Sequence, residues 1–452
     1  MSALLRSLLV TTVCSKPYLL TPSLSILSFL SKPDRNFLLS IDRNPILHWL
    51  VKKTFYNQFC TGENAAETKK TMKQMHDYGF AGVILTYAKE TTFDHKSKTE
   101  QTTGTAGPLA DPKDQRCEHI EAWRVGTLET VYMTGKGDKI AIKMTGAGPV
   151  ATKAFAAGEF PPPQMMTALE EICEAARATG ASIVVDAESQ YFQRGIARTA
   201  VALMRKYNHP HPHQHHSSNS SSSTMTASGE QQQQQQQPLV IQTYQCYLKA
   251  TRRHLAKDMA LAAREGWHWG VKLVRGAYMA TDERARIHDT KRDTDEAYDG
   301  IARDLLRRDV DGFGGADVLG GRPFPRMSLV LATHNRDTVV AAHKLHQELT
   351  AAAAAASSSS SSGGNRSVVP LEFAQLHGMA DSLSFSLLRA GGGGAAAPPR
   401  VLKCSTWGTM DECLAYLLRR AVENREAVAR THDEFRAVRA EFGRRISSVF
   451  GF

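Results

Sequence analysis

No run of about 18 apolar residues occurs in the 452 residues of this chain, so the sequence offers no candidate for a membrane-crossing helix. Cysteine is sparse. The seven, at 14, 60, 117, 173, 246, 404 and 413, are odd in number and never form a CxxC pair. This argues against a disulfide framework or a structural zinc cluster and suits a reducing compartment. No GxGxxG follows a strand and opens a helix, and GxxxxGKS, GxxxxGKT, HExxH and GxSxG are all missing. The usual dinucleotide and P-loop cradles, the zinc-protease helix and the serine nucleophile elbow are thereby excluded. Acid is lacking at the start: none precedes Asp34, while Arg6, Lys16 and Lys32 lie among Leu, Ser and Thr. An acid-poor, Ser-rich beginning predicts a mitochondrial presequence over residues 1–33, with a secretory signal or a frayed tail as the alternatives.

What is present is enough apolar sequence, 42%, for a full core in one large domain or two smaller ones. The +10 formal charge admits nucleic acid, an anionic membrane surface or acidic small ligands. Nucleic acid is the weakest of these, because basic and aromatic residues do not interleave and no reading motif occurs. Eight short apolar or β-branched runs read as strands: 83–88, 140–144, 182–186, 239–244, 270–274, 328–332, 371–376 and 401–405. Helix-length segments follow most of them, at 165–179, 197–207, 247–265, 293–308, 338–349 and 411–428. Repeated strand-then-helix units predict an α/β fold with a parallel sheet, and eight of them a closed, distorted (β/α)8 TIM-type barrel over 34–452, with an open doubly wound sheet as the competitor.

Three low-complexity segments interrupt the pattern at 209–237, 351–366 and 390–399, rich in His, Ser and Gln, in Ala and Ser, and in Gly, Ala and Pro. Their compositions bury too little to offset ordering, so each predicts a disordered insert. The histidines at 209, 211, 213, 215 and 216 read as part of that tract, and no metal site is assigned.

Reacting groups of such barrels come from strand C-termini and the loops after them. Polar residues collect there: Lys143, Asp186 with Glu188, Gln242, Lys272 and Arg275 before Gly276-Ala277-Tyr278, and Thr333-His334-Asn335, joined by Arg419, Arg420 and Glu423 on the last helix. A mouth rich in Lys and Arg suits an anionic ligand, either cofactor phosphates or a substrate carboxylate. Spacing alone stops at an anion-binding barrel enzyme, and leaves open a lyase or aldolase using Lys143 or Lys272 as a Schiff base.

Four segments in register narrow this: Gln242-Thr-Tyr-Gln-Cys-Tyr-Leu, Val271-Lys-Leu-Val-Arg-Gly-Ala-Tyr278, Ala332-Thr-His-Asn335, and Tyr416-Leu-Leu-Arg-Arg420 with Glu423-Asn424. Together with Ile142-Lys143 and Val185-Asp-Ala-Glu188, they resemble the proline dehydrogenase family, in its eukaryotic mitochondrial form, from about Leu50 to Ala427. The resemblance implies FAD-dependent oxidation of L-proline to Δ1-pyrroline-5-carboxylate, with electrons passed to a membrane quinone on the matrix side of the inner mitochondrial membrane. It also implies roles. Arg419, Arg420 and Lys143 would hold the proline carboxylate, with Asp186 behind them and Tyr416 in the catalytic set. Gln242 would bond the flavin ring, and Lys272, Arg275 and the Gly276-Ala277-Tyr278 turn would hold its N5 region or phosphates. Thr333 and His334 would meet the adenosine half and Glu423 the ribose. Counting back from Arg420 puts Cys404 where relatives carry a tyrosine over the substrate ring, which predicts a roomier pocket and raises 4-hydroxyproline as an alternative substrate. Met279 stands where many bacterial relatives have Trp.

Overall fold

The computed structural model describes residues 2–14, 16–30, 41, 43–89, 91–94, 99–102, 116–209, 237–359, 368–390, 398–426 and 428–450. Eight parallel strands close a barrel: β1 Gly82–Tyr87, β2 Lys139–Ile142, β3 Ser182–Val185, β4 Val240–Gln245, β5 Trp269–Val274, β6 Met327–Ala332, β7 Leu371–Leu376 and β8 Arg400–Trp407. Each pairs with its neighbour in sequence, and β8 returns to β1 with Ile84 opposite Cys404. Runs such as Val83-Ile-Leu and Ile183-Val-Val are buried on both faces, which is why they read as continuous apolar segments and not as alternations. All eight expected strands are present, with no end displaced by more than two residues. A small antiparallel hairpin, Thr91–Asp94 with Thr99–Thr102, follows β1.

The helices are α1 Ser2–Cys14, α2 Pro17–Leu30, α3 Pro45–Val51, α4 Ala65–Asp77, α5 Glu118–Met133, α6 Pro149–Ala157, α7 Pro163–Thr179, α8 Gln190–Tyr207, α9 Thr251–Glu265, α10 Lys291–Arg307, α11 Arg336–Ser359, α12 Asp381–Ala390, α13 Met410–Glu426 and α14 Val428–Phe450. Glycines in the left-handed region end α7 and α9, at Gly180 and Gly266. A capping box between Thr290 and Asp293 starts α10. No helix among the described residues is long and apolar enough to cross a membrane.

Two expectations for the inserts need correction. Residues 351–359 are not a disordered insert but the continuation of α11, because an alanine run has the highest intrinsic helix propensity and extends a helix already nucleated. Ala390 likewise closes α12. Of the three segments, residues 210–236, 360–366 and 391–397 lie outside the described residues, as does most of the histidine cluster. Within the expected presequence, α1 packs on α14 and α2 on α13. Arg6 Nε donates to Gln58 Oε1 at 3.2 Å, and Val10 is buried.

Strand alternation layers the barrel interior. At the N-terminal end Lys139 and Glu372 form a buried ion pair of 2.8 Å, with Arg400 Nε also on Glu372 at 3.0 Å. Burial alone would raise the Glu372 carboxyl, but Lys139 and Arg400 outweigh it and hold it below the usual range. Above lies an apolar layer of Ile84, Ala141, Val184, Ile241, Val330, Ala374 and Leu402. The next inward positions are polar. They form the mouth.

Candidate active site

Lys143 and Asp186 meet because they follow paired residues: Ile142 is opposite Val185, and Asp186 N donates to Ile142 O at 3.2 Å. Across the barrel, Lys272 projects from β5. The Asp186 carboxylate receives Lys272 Nζ at 2.8 Å and Lys143 Nζ at 3.4 Å. Burial pushes its pKa up, the two ammonium groups pull it down, and the balance lies below the ordinary aspartate value. Asp186 is therefore a fixed anion that orients two cations and not a base waiting for a proton. Lys143 Nζ also donates to Tyr278 Oη at 3.1 Å and lies 5.7 Å from that ring centroid.

Arg420 comes from α13. It is buried, with its guanidinium 4.9 Å from the Tyr416 ring centroid. Its charge is felt at Cys404, on the inner face of β8, together with those of Lys272 and Asp186. Burial dominates there and raises the thiol pKa, so Cys404 lines the mouth as a small neutral side chain. Arg419 is half-buried on the same helix, and the side chain of Glu423 lies outside the described residues. Lys143 and Lys272 thus share one carboxylate, and Arg420 adds a third cation near Cys404 of the same mouth, a lining suited to an anionic ligand.

A second group forms beside this one. Arg275 donates from Nη1 to Thr333 Oγ1 at 2.6 Å, from Nη2 to Thr338 Oγ1 at 3.0 Å and from Nε to Asp295 at 2.5 Å, and stacks 4.4 Å from the Tyr298 ring centroid. α10 and the start of α11 therefore hold it, apart from the Asp186 cluster. His334 Nε2 accepts from Leu376 N at 3.0 Å, which ties the ends of β6 and β7. Gly276 has φ +145°, and a Cβ there would fall 1.9 Å from the Tyr247 ring, so only glycine fits. The close approach lets Tyr247 Oη reach Asp282 at 2.6 Å, whose carboxylate also accepts from Ser189 Oγ and Gln190 N. Ala277 is exposed on this turn and Tyr278 is buried.

Gln242 does not enter the mouth. Register puts it beside Val185 and Val271, both in the outer shell, and its amide bonds Asp258 on α9. The inward residues of β4 are Ile241, Thr243 and Gln245, with Thr243 opposite Lys272. Gln245 Nε2 donates to Glu188 O at 2.9 Å, and Glu188 in turn holds the Thr145 amide and hydroxyl. Thr243 Oγ1 is buried and has no hydrogen-bond partner among the described residues. Thr243, Gln245 and the Arg275 partners Asp295 and Thr338 were missed in the sequence reading. The β4–β5 register, which sets Thr243 opposite Lys272, identifies the first two, and nothing within β4 alone does. Among the described residues no cluster of metal-ligating side chains occurs.

A family model described as proline dehydrogenase matches residues 68–433. The mitochondrial proline dehydrogenase 1 of Caenorhabditis elegans is 33% identical over 287 residues, covering 62% of this chain and 37% of the worm protein. A probable mitochondrial proline dehydrogenase of Schizosaccharomyces pombe is 25% identical over 98% of this chain and 88% of its own length. The chain therefore spans well under two thirds of the worm relative and most of the yeast one. Among solved structures, proline utilization A of Bdellovibrio bacteriovorus superimposes with a TM-score of 0.61 at 15% identity, over 91% of this chain and 37% of that one, a likeness of fold. Since the family match takes in all eight barrel strands and α13, this chain belongs to the proline dehydrogenase family.

Proposed function

We propose that this chain oxidises L-proline to Δ1-pyrroline-5-carboxylate with FAD and passes the electrons to a membrane quinone at the matrix face of the inner mitochondrial membrane. The observation that carries the reading is the mouth itself. Two lysines hold an ionised aspartate at the C-terminal end of a closed barrel, and a buried arginine, Arg420, stands near Cys404 on the inner face of β8. The guanidinium of Arg420, with Arg419 on the same helix, would take the substrate carboxylate, and Lys143 would support it. Asp186 keeps Lys143 and Lys272 in place, so the clamp is set before substrate arrives.

The residues present fit a flavin. Thr243 offers a buried inward hydroxyl without a partner among the described residues, and Lys272 stands opposite it. Those two, with Gln245, would border the ring, and Arg275, Thr333 and His334 would take the more distant parts. A bound flavin supplies the two-electron acceptor for the carbon–hydrogen bond beside the amine. Positive side chains bordering such a ring would favour negative charge on it and so help both binding and rate. Both lysine amines are engaged with Asp186, which weakens the Schiff-base alternative.

Cys404 supports a second substrate. Its side chain, on the inner face near Arg420, is smaller than a tyrosine and would leave more room for the hydroxyl of 4-hydroxyproline. One measurement separates these readings. The purified protein is expected to be yellow and to lose its flavin absorbance on adding proline. Bleaching by hydroxyproline at a comparable rate would favour the second substrate, and no flavin band at all would defeat both.

A further inference from the structure

The helix α3 and its continuation through a π-helical turn, Lys52–Tyr56, to Phe59 carry two apolar stripes. Leu47, Val51, Phe55 and Phe59, four residues apart, belong to the cluster that contains Met410, Leu414 and Tyr416 of α13. Ile46, Trp49 and Leu50 face outward, 78%, 60% and 50% exposed. A helix apolar on both sides is normally covered on both, and a contiguous exposed apolar patch marks an interaction surface.

Charge says what covers it. From Ser2 to Gly62 the sequence has seven Lys or Arg and only two acids, Asp34 and Asp42. The next acids, Glu63 and Glu67, are taken by Lys52 at 2.5 and 2.8 Å. Lys53, at helical spacing from Ile46, Trp49 and Leu50, is exposed and has no acidic partner among the described residues. A second copy of the chain, itself at +10, would repel this surface. An anionic lipid surface attracts it, and tryptophan with leucine and isoleucine beside lysine is the composition that lies in a bilayer interface.

We propose that α3 is a membrane-docking helix, with Ile46, Trp49 and Leu50 entering the interfacial region of an anionic bilayer and Lys53 among its headgroups. The purpose rests on the quinone reading: the packed stripe touches α13, which carries Arg419 and Arg420, so docking holds the barrel mouth near the surface where a quinone resides. The geometry does not rest on it.

Of the five tryptophans, Trp123, Trp267, Trp269 and Trp407 are buried, so Trp49 alone is positioned to report on lipid. The full chain is mixed with vesicles of phosphatidylcholine, with and without cardiolipin. The expected result is co-sedimentation and a blue shift of emission with the cardiolipin vesicles. A variant with Ile46→Ser, Trp49→Ser and Leu50→Ser together should bind them about tenfold more weakly or worse, yet reduce a soluble dye with proline as the parent does. Lys53→Glu should weaken binding to the anionic vesicles without touching the apolar stripe, and decides the matter should the triple variant fail to fold. Unchanged vesicle binding in these variants, absence of binding by the parent, or concentration-dependent self-association through the patch in place of vesicle binding would overturn the proposal. Failure of dye reduction with vesicle binding intact would count against proline oxidation and leave the docking helix standing.

Discussion

Arg420 reaches the mouth from a helix, where its neighbours come from strands, and it is buried against the Tyr416 ring. Replacing it by Met removes the partner proposed for the substrate carboxylate while keeping most of the stem's packing. Arg420→Met is expected to weaken apparent proline affinity by about 2–5 kcal/mol, the cost of truncating one member of a desolvated charge pair. Steady-state kinetics with proline checks it, and an unchanged KM would remove the clamp. At this scale the sequence was legible where chemistry dominates. Lys143, Asp186 and Lys272 converge as their positions at strand ends suggested. Gln242 was not, because a strand shows its inner face only once its register with a neighbour is known, and a shift of one residue exchanges Gln242 for Thr243.

Elements fail or succeed on their buried outer faces as well as on the mouth. Between β4 and α9, Asp258 accepts from Tyr244 Oη at 2.9 Å, and Trp269 Nε1 donates to the same phenol at 3.2 Å. Burial outweighs these bonds and lifts the Asp258 pKa from 3.8 to about 6. The folded chain therefore holds this proton more tightly than the unfolded one, so stability falls as pH rises between those two values and stays lower above them. Asp258→Asn keeps an acceptor for Tyr244 and removes the charge. It is expected to raise stability by about 2–3 kcal/mol near neutral pH, with little change below the unfolded value, as urea melts across pH would record. The eight strands were legible because a doubly buried strand is a short apolar run between turn residues. The alanine extension of α11 was not, since low complexity suggested disorder where helix propensity prevailed. α3 escaped notice because apolar residues on both sides leave no amphipathic period to find.

For the whole molecule, closure depends on contacts between distant parts of the chain. The Lys139–Glu372 pair joins β2 to β7 across the bottom of the barrel, with both side chains buried. Glu372→Ala leaves Lys139 without its anion and should cost about 3–5 kcal/mol, read as a lower urea midpoint at unchanged slope. Replacing both residues by apolar ones of similar size should restore most of that loss. That the barrel is closed was suggested by the count of eight units, but the seam itself was not, because nothing local in β1 or β8 specifies that Gly82 lies opposite Leu402. Tyr56 Oη on Gly408 O, 2.6 Å apart in space and 352 positions apart in sequence, fastens the same seam from outside. During vectorial synthesis, or threading through a translocation channel, the first seven strands therefore form a sheet with two raw edges until β8 emerges. A nascent chain of this topology spends that interval exposed to aggregation, and a chaperone that shields β1 until the last strand arrives would raise its yield more than any single stabilising substitution.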